Sequence, residues 1–79
     1  MDTFESVRHF IGDFVAVEPE KINRDTNLAS DLELDSISLV NMAAALETEY
    51  GIEITENDFP KFTTISAIVD YLDERNIEK

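Results

Sequence analysis

A chain of 79 residues, 43% of them apolar, supplies one small domain with a single core, and residues 1–79 are read as that domain. The formal net charge of −12 argues against nucleic acid or an anionic membrane as partner, since both are held by Lys and Arg on phosphates. With no cysteine there is no disulfide framework, no thiolate nucleophile and no cysteine-rich metal site, so any thiol chemistry has to be imported.

Phe4, Val7, Ile11, Phe14 and Val15 recur at helical spacing, and Asp2 with Glu5 three residues on suits a capping box. A first helix is predicted from about residue 3 to about residue 16. Gly12 inside it, about 1 kcal/mol worse than Ala in a helix, is read as a close helix contact. Residues 17–35 show no sustained periodicity, and so long a connection in so small a domain points to function. Ile22, Leu28, Leu32 and Leu34 should pin this loop across the core, with Asp25, Thr26, Asn27 and Ser30 supplying turn chemistry.

From Asp35 the pattern is helical to Tyr50, and Gly51 follows as a residue free to turn left-handed, with Ile52 placed to fold back on the last turn. A second helix over 36–50 is predicted. Thr55 with Asp58 looks like another cap, but Pro60 restricts any helix begun there to a turn or so, and a short third helix is placed at 56–61. Thr63 or Thr64 then caps a last helix carrying Ile65, Ile68, Val69 and Leu72 on one face and fraying after Arg75.

The second helix has two apolar rows. Leu39, Met42, Ala43, Leu46 and Tyr50 form a core stripe, while Ile37, Val40 and Ala44 form a second row rotated away from it. Burial on most of the circumference would explain the second row, and so would scattered surface apolar residues, which are normal, or a partner-facing strip edged by Asp35 and Glu47. The strip is the preferred reading. Charge supports it: all six Lys and Arg lie outside 25–60, where Asp25, Asp31, Glu33, Asp35, Glu47, Glu49, Glu53, Glu56 and Asp58 stand without a cation. Such a window is a solvated face or a surface that speeds encounter with basic partners.

Ser36 stands between Asp35 and the apolar run. A serine nucleophile needs a base within hydrogen-bond reach, and the single histidine, His9, belongs to the first helix with no partner for a triad. The GxSxG elbow and glycine-rich phosphate loops are absent. A calcium loop begun at Asp25 fails, since Ser30 replaces its glycine and Ser36 its bidentate glutamate, so no metal site is assigned. With Asp35 as N-cap, Ser36 instead occupies the first helical position, hydroxyl outward, where a phosphate would meet free backbone N–H groups and the positive end of the helix dipole. That geometry suits phosphorylation as well as any other phosphate-linked adduct.

Taken together, DLELDSISLVNMAAALETEYGIEI followed by FTTISAIVDYL resembles the acyl carrier proteins, over nearly the whole chain. The resemblance implies an all-α, four-helix bundle with three longer helices, one short helix and a long first loop. It implies that Ser36 carries 4′-phosphopantetheine, installed from coenzyme A by a phosphopantetheinyl transferase, with Asp35 assisting through a metal ion held by that enzyme. Acyl groups would ride on the arm's thiol, and Val7, Leu28, Met42, Leu46 and Phe62 are candidates for lining a space that shelters them. Ile37, Val40, Ala44 and Glu47 match the face such proteins present to acyl-transferring and acyl-processing enzymes.

Two departures stand out. Glu33 replaces the glycine of the family's LGxDS pattern; a side chain there disfavours a positive φ, and the loop is expected to turn differently. Ser38 and Asn41 are neutral where carriers of fatty acid synthesis tend to be acidic, which keeps a specialised carrier for polyketide, lipid-modification or aminoacyl cargo in view. The reading is a non-catalytic, monomeric, cytoplasmic acyl carrier without nucleic acid or stable membrane insertion. Its rivals are a peptidyl or D-alanyl carrier, and an unmodified helical module in which Ser36 is only a cap.

Overall fold

The computed structural model describes residues 2–55 and 57–75. They form three α-helices, α1 (Thr3–Val15), α2 (Ser36–Tyr50) and α3 (Ile65–Glu74), with 3-10 turns at Pro19–Lys21 and Phe59–Lys61. The all-α expectation holds; the fourth helix does not. The helix placed at 56–61 is a single 3-10 turn at Phe59–Lys61, because Pro60 has no N–H to continue a ladder. Residue 56 lies outside the described residues.

Each α-helix starts on a side-chain cap. Asp2 accepts from the Glu5 N–H at 2.8 Å, Asp35 from that of Ser38 at 2.8 Å, and Thr64 from that of Ala67 at 3.2 Å. The capping box at α1 is half-formed, since the Glu5 carboxylate turns to Arg8 at 2.8 Å. α1 and α2 end alike, with Ala16 and Gly51 left-handed and the next N–H, of Val17 or Ile52, returning to Gly12 O at 2.9 Å or Glu47 O at 3.1 Å. This return explains Gly12. A Cβ there would lie 2.7 Å from Val17 O, so the close contact predicted is with the chain's own returning backbone, and not with another helix.

Val7 and Ile11 of α1, Met42 and Leu46 of α2, and Ile65, Ile68, Val69 and Leu72 of α3 form the core, into which the long loop drops Ile22, Leu28 and Leu34. The loop is also stitched by backbone bonds to the start of α3: Leu28 N–H to Thr63 O at 3.0 Å, Ile65 N–H to Thr26 O at 3.1 Å, and Ser66 N–H to Arg24 O at 2.9 Å. Asn27 pairs with Thr64 as an isolated bridge. Asn27 Oδ1 receives the N–H groups of Ala29 and Ser30, both at 2.9 Å, closing a turn just before the approach to α2.

Candidate functional site

That approach sets the geometry of Ser36. Leu34 is buried and its N–H returns to Leu28 O at 3.1 Å, which anchors the chain immediately before α2. Between the anchors, Glu33 adopts φ 57°. The different turn expected for a side chain at this position is therefore corrected: Glu33 takes the left-handed conformation a glycine would favour, held there by the anchored Leu34 after it. Asp35 follows with extended backbone and caps α2, and Ser36 is its first residue, exposed. Capping by Ser36 itself is overturned, since the Ser38 N–H goes to Asp35.

The Asp35 carboxyl is held below the usual carboxylate range, first by the backbone N–H of Ser38 and next by the Ser38 hydroxyl. It is an anion at neutral pH and already occupies donors that a phosphate at Ser36 would have met. A phosphodiester on Ser36 Oγ would lie beside this anion, and the exposure of the residue leaves room for its charge to turn outward. His9 stands on α1, its Nε2 3.8 Å from the Glu5 carboxylate, as half of an ordinary surface pair. No cluster of three or more His, Asp or Glu side chains fit to hold a metal ion occurs among the described residues.

Beyond Ser36, α2 presents its second apolar row to solvent: Ile37 is 73% exposed, Val40 56%, and Ala44 is exposed too. Burial of that row is ruled out. Glu47 is half-buried, and its Oε2 accepts the Ile54 N–H at 2.8 Å, tying the segment after α2 back to the helix. Asp31 likewise accepts from the Asn27 N–H at 2.8 Å, and Asp58 from Tyr71 Oη at 2.8 Å and Lys61 Nζ at 3.1 Å. The acidic window is therefore partly structural. Asp58 does not form the cap predicted with Thr55; their link is backbone, from the Asp58 N–H to Thr55 O at 3.0 Å.

Two hollows flank this part of α2. The outer one, about 380 Å³, is lined by Val40, Ala43, Ala44, Glu47, Ile54, Thr55 and Phe59. The inner one, about 210 Å³, lies among Leu39, Met42, Phe59, Pro60, Phe62, Thr63 and the loop residues Asn27 and Ala29. Of the residues predicted to line a space for acyl groups, Met42 and Phe62 line the inner hollow, whereas Val7, Leu28 and Leu46 are buried core that lines neither hollow. Leu39, expected in the core, is half-buried on the inner hollow. The role of Phe59 escaped sequence reasoning, because one aromatic before a proline carries no periodic signal.

Residues 5–72 match the family model described as a phosphopantetheine attachment site. The chain is also 33% identical over 79 residues to an acyl carrier protein of Campylobacter hominis, with all of both chains covered. It is 31% identical to one of Thermosynechococcus vestitus, over 94% of this chain and 91% of the relative. To one of Zymomonas mobilis subsp. mobilis it is 32% identical, over 92% and 94%. Phosphopantetheine is the prosthetic group of proteins of this kind, and an exposed serine at the start of a capped helix suits it. Through a family model spanning most of its length and relatives matched from end to end, this chain belongs to the acyl carrier proteins.

Proposed function

We propose that this protein is a carrier, without catalysis of its own, which holds acyl intermediates on 4′-phosphopantetheine joined to Ser36 and presents them to enzymes of fatty acid, lipid or polyketide biosynthesis. The observation that carries the reading is the solvent-exposed Ser36 hydroxyl at the first turn of α2, relieved of capping by Asp35. When bound, the arm supplies a terminal thiol for thioester linkage, which a chain without cysteine lacks. Ser36 Oγ is the attachment atom. Asp35, kept anionic by its cap bonds, assists the transferase through a metal ion held by that enzyme.

Ile37, Val40 and Ala44 are the apolar centre of the docking face, with Asp35 at one end and Glu47 at the other. Basic patches on the transferase and on acyl-processing enzymes complement the acidic window, and the domain works as a cytoplasmic monomer. Among the described residues no helix is long and apolar enough to cross a membrane. Exposed, neutral Asn41 on the same helix favours a specialised cargo as the second reading, a D-alanyl or peptidyl group included. Mass analysis of the loaded thioester separates these cargoes.

The test of the attachment is intact mass before and after incubation with coenzyme A and a promiscuous phosphopantetheinyl transferase. The expected result is the gain of one phosphopantetheine by the native protein and none by Ser36→Ala. A native protein left unmodified by the competent enzyme and donor would overturn the assignment.

A further inference from the structure

Among the described residues, one side chain lines both hollows beside α2: Phe59. Resting on the carrier reading above, we propose that Phe59 is a specificity-determining residue, a partition that confines a linear acyl chain to the inner hollow and so limits the length sheltered.

The placement stems from α2. Leu39 and Val40 are three and four residues beyond Ser36, roughly 4.5 and 6 Å along the helix axis, so both hollows open one turn from the attachment point. They diverge there. Leu39 and Met42 face the inner hollow, while Val40, Ala43, Ala44 and Glu47 face the outer one. Met42 and Phe62 make the inner walls buried and apolar, suited to a hydrocarbon. The outer hollow is lined in part by exposed Val40 and by the acidic residue Glu47, which suits a hydrocarbon less well. At about 210 Å³ the inner hollow is smaller than the roughly 300–1,000 Å³ of ordinary small-molecule sites, so it fills early.

The ring is not carried on a free loop. The Phe59 N–H returns to Thr55 O at 3.1 Å, its carbonyl accepts the Phe62 N–H at 3.1 Å, and the preceding Asp58 is tied to Tyr71. A growing chain meets a held aromatic wall, and removing the ring joins the two hollows.

The test loads the phosphopantetheinylated full chain with acetyl, butyryl, hexanoyl, octanoyl and dodecanoyl groups, verifies each by intact mass, and measures Tm and the methyl spectra. Each sheltered methylene is expected to raise Tm by up to about 3 to 6 °C. In the native protein the rise levels off before dodecanoyl, and the Met42 methyl signal shifts while those of Val40 and Ala44 stay. In Phe59→Ala the rise continues to longer chains and the Val40 and Ala44 methyls shift as well. Phe59→Leu gives a graded extension that stands in if the alanine variant fails to fold, and Phe59→Trp shortens the plateau. Identical length profiles in native, Leu and Trp proteins overturn the partition, as does a native profile still climbing at dodecanoyl. A loaded protein whose Tm ignores chain length removes sheltering but leaves the carrier intact, whereas failure to accept the arm removes the carrier and this inference with it.

Discussion

Ala16 at φ 59° and Glu33 at φ 57° occupy the left-handed region that costs an L-residue about 1–2 kcal/mol. Glycine removes that strain but loses more chain entropy, about 0.5–1 kcal/mol, so Glu33→Gly is expected to gain about 0.5–1 kcal/mol, read from the urea midpoint. Nothing in the identity of a glutamate announces such a conformation, which is why this turn is illegible in the sequence, whereas Asp35 and Gly51 act through chemistry visible at a single position. Because Asp35 is the cap, Ser36→Ala should stay within about 0.5 kcal/mol of native stability while abolishing attachment. A midpoint loss typical of a deleted cap, roughly 0.5–2 kcal/mol, would give the hydroxyl a structural task instead.

Between elements, one close junction is where the end of α1 folds back over Gly12. Gly12→Ala forces a Cβ against Val17 O, a backbone atom with little freedom to move, and should destabilise by about 1–3 kcal/mol in chemical unfolding. A second junction ties the turn at Phe59–Lys61 to α3 through Tyr71 and Asp58, with Arg75 3.5 Å above the Tyr71 ring. Burial, then the bond to Asp58, raises the Tyr71 pKa above 10.0, while Tyr71, then Lys61, lowers that of Asp58 below 3.8. The tyrosine contribution is thus complete below about pH 10 and lost as pH rises through the higher folded value; the aspartate contribution is complete above about pH 4 and lost as pH falls through the lower one. Tyr71→Phe should lower Tm by a few degrees at neutral pH and flatten the alkaline limb of a melting series. An unchanged alkaline limb would show that this junction contributes nothing. Sequence periodicity marks Tyr71 and Asp58 poorly, since a tie between a turn and a helix 13 residues on has no repeat to reveal it.

For the molecule as a whole, a net charge of −12 is confined to a body whose longest extent is 28 Å. At about 0.01 M salt the screening length is near 30 Å, so every charge acts on every other; at about 1 M it is near 3 Å. Tm is therefore expected to rise by several degrees across that range and with added divalent cations, and a flat or falling Tm would remove self-repulsion as a destabilising influence. Among the described residues four of the cations are engaged nearby: Arg8 and Arg24 lie 4.7 and 4.8 Å from the Phe4 ring, Lys61 pairs with Asp58, and Arg75 stands over the Tyr71 ring. The all-α class and the limits of α2 were legible in apolar spacing and caps. The long loop was legible only through its anchors Ile22, Leu28 and Leu34, because backbone bonds to α3 leave no side-chain pattern.

Those backbone bonds bear on how cargo would leave. Asn27 and Thr63, which line the inner hollow, belong to the same seam that joins the loop to α3, so widening the hollow on that side means tearing the seam and fraying a helix start together. Amide exchange at Leu28 and Ile65 should accordingly stay slow through repeated loading and unloading, the seam acting as a fixed post beside the hollow.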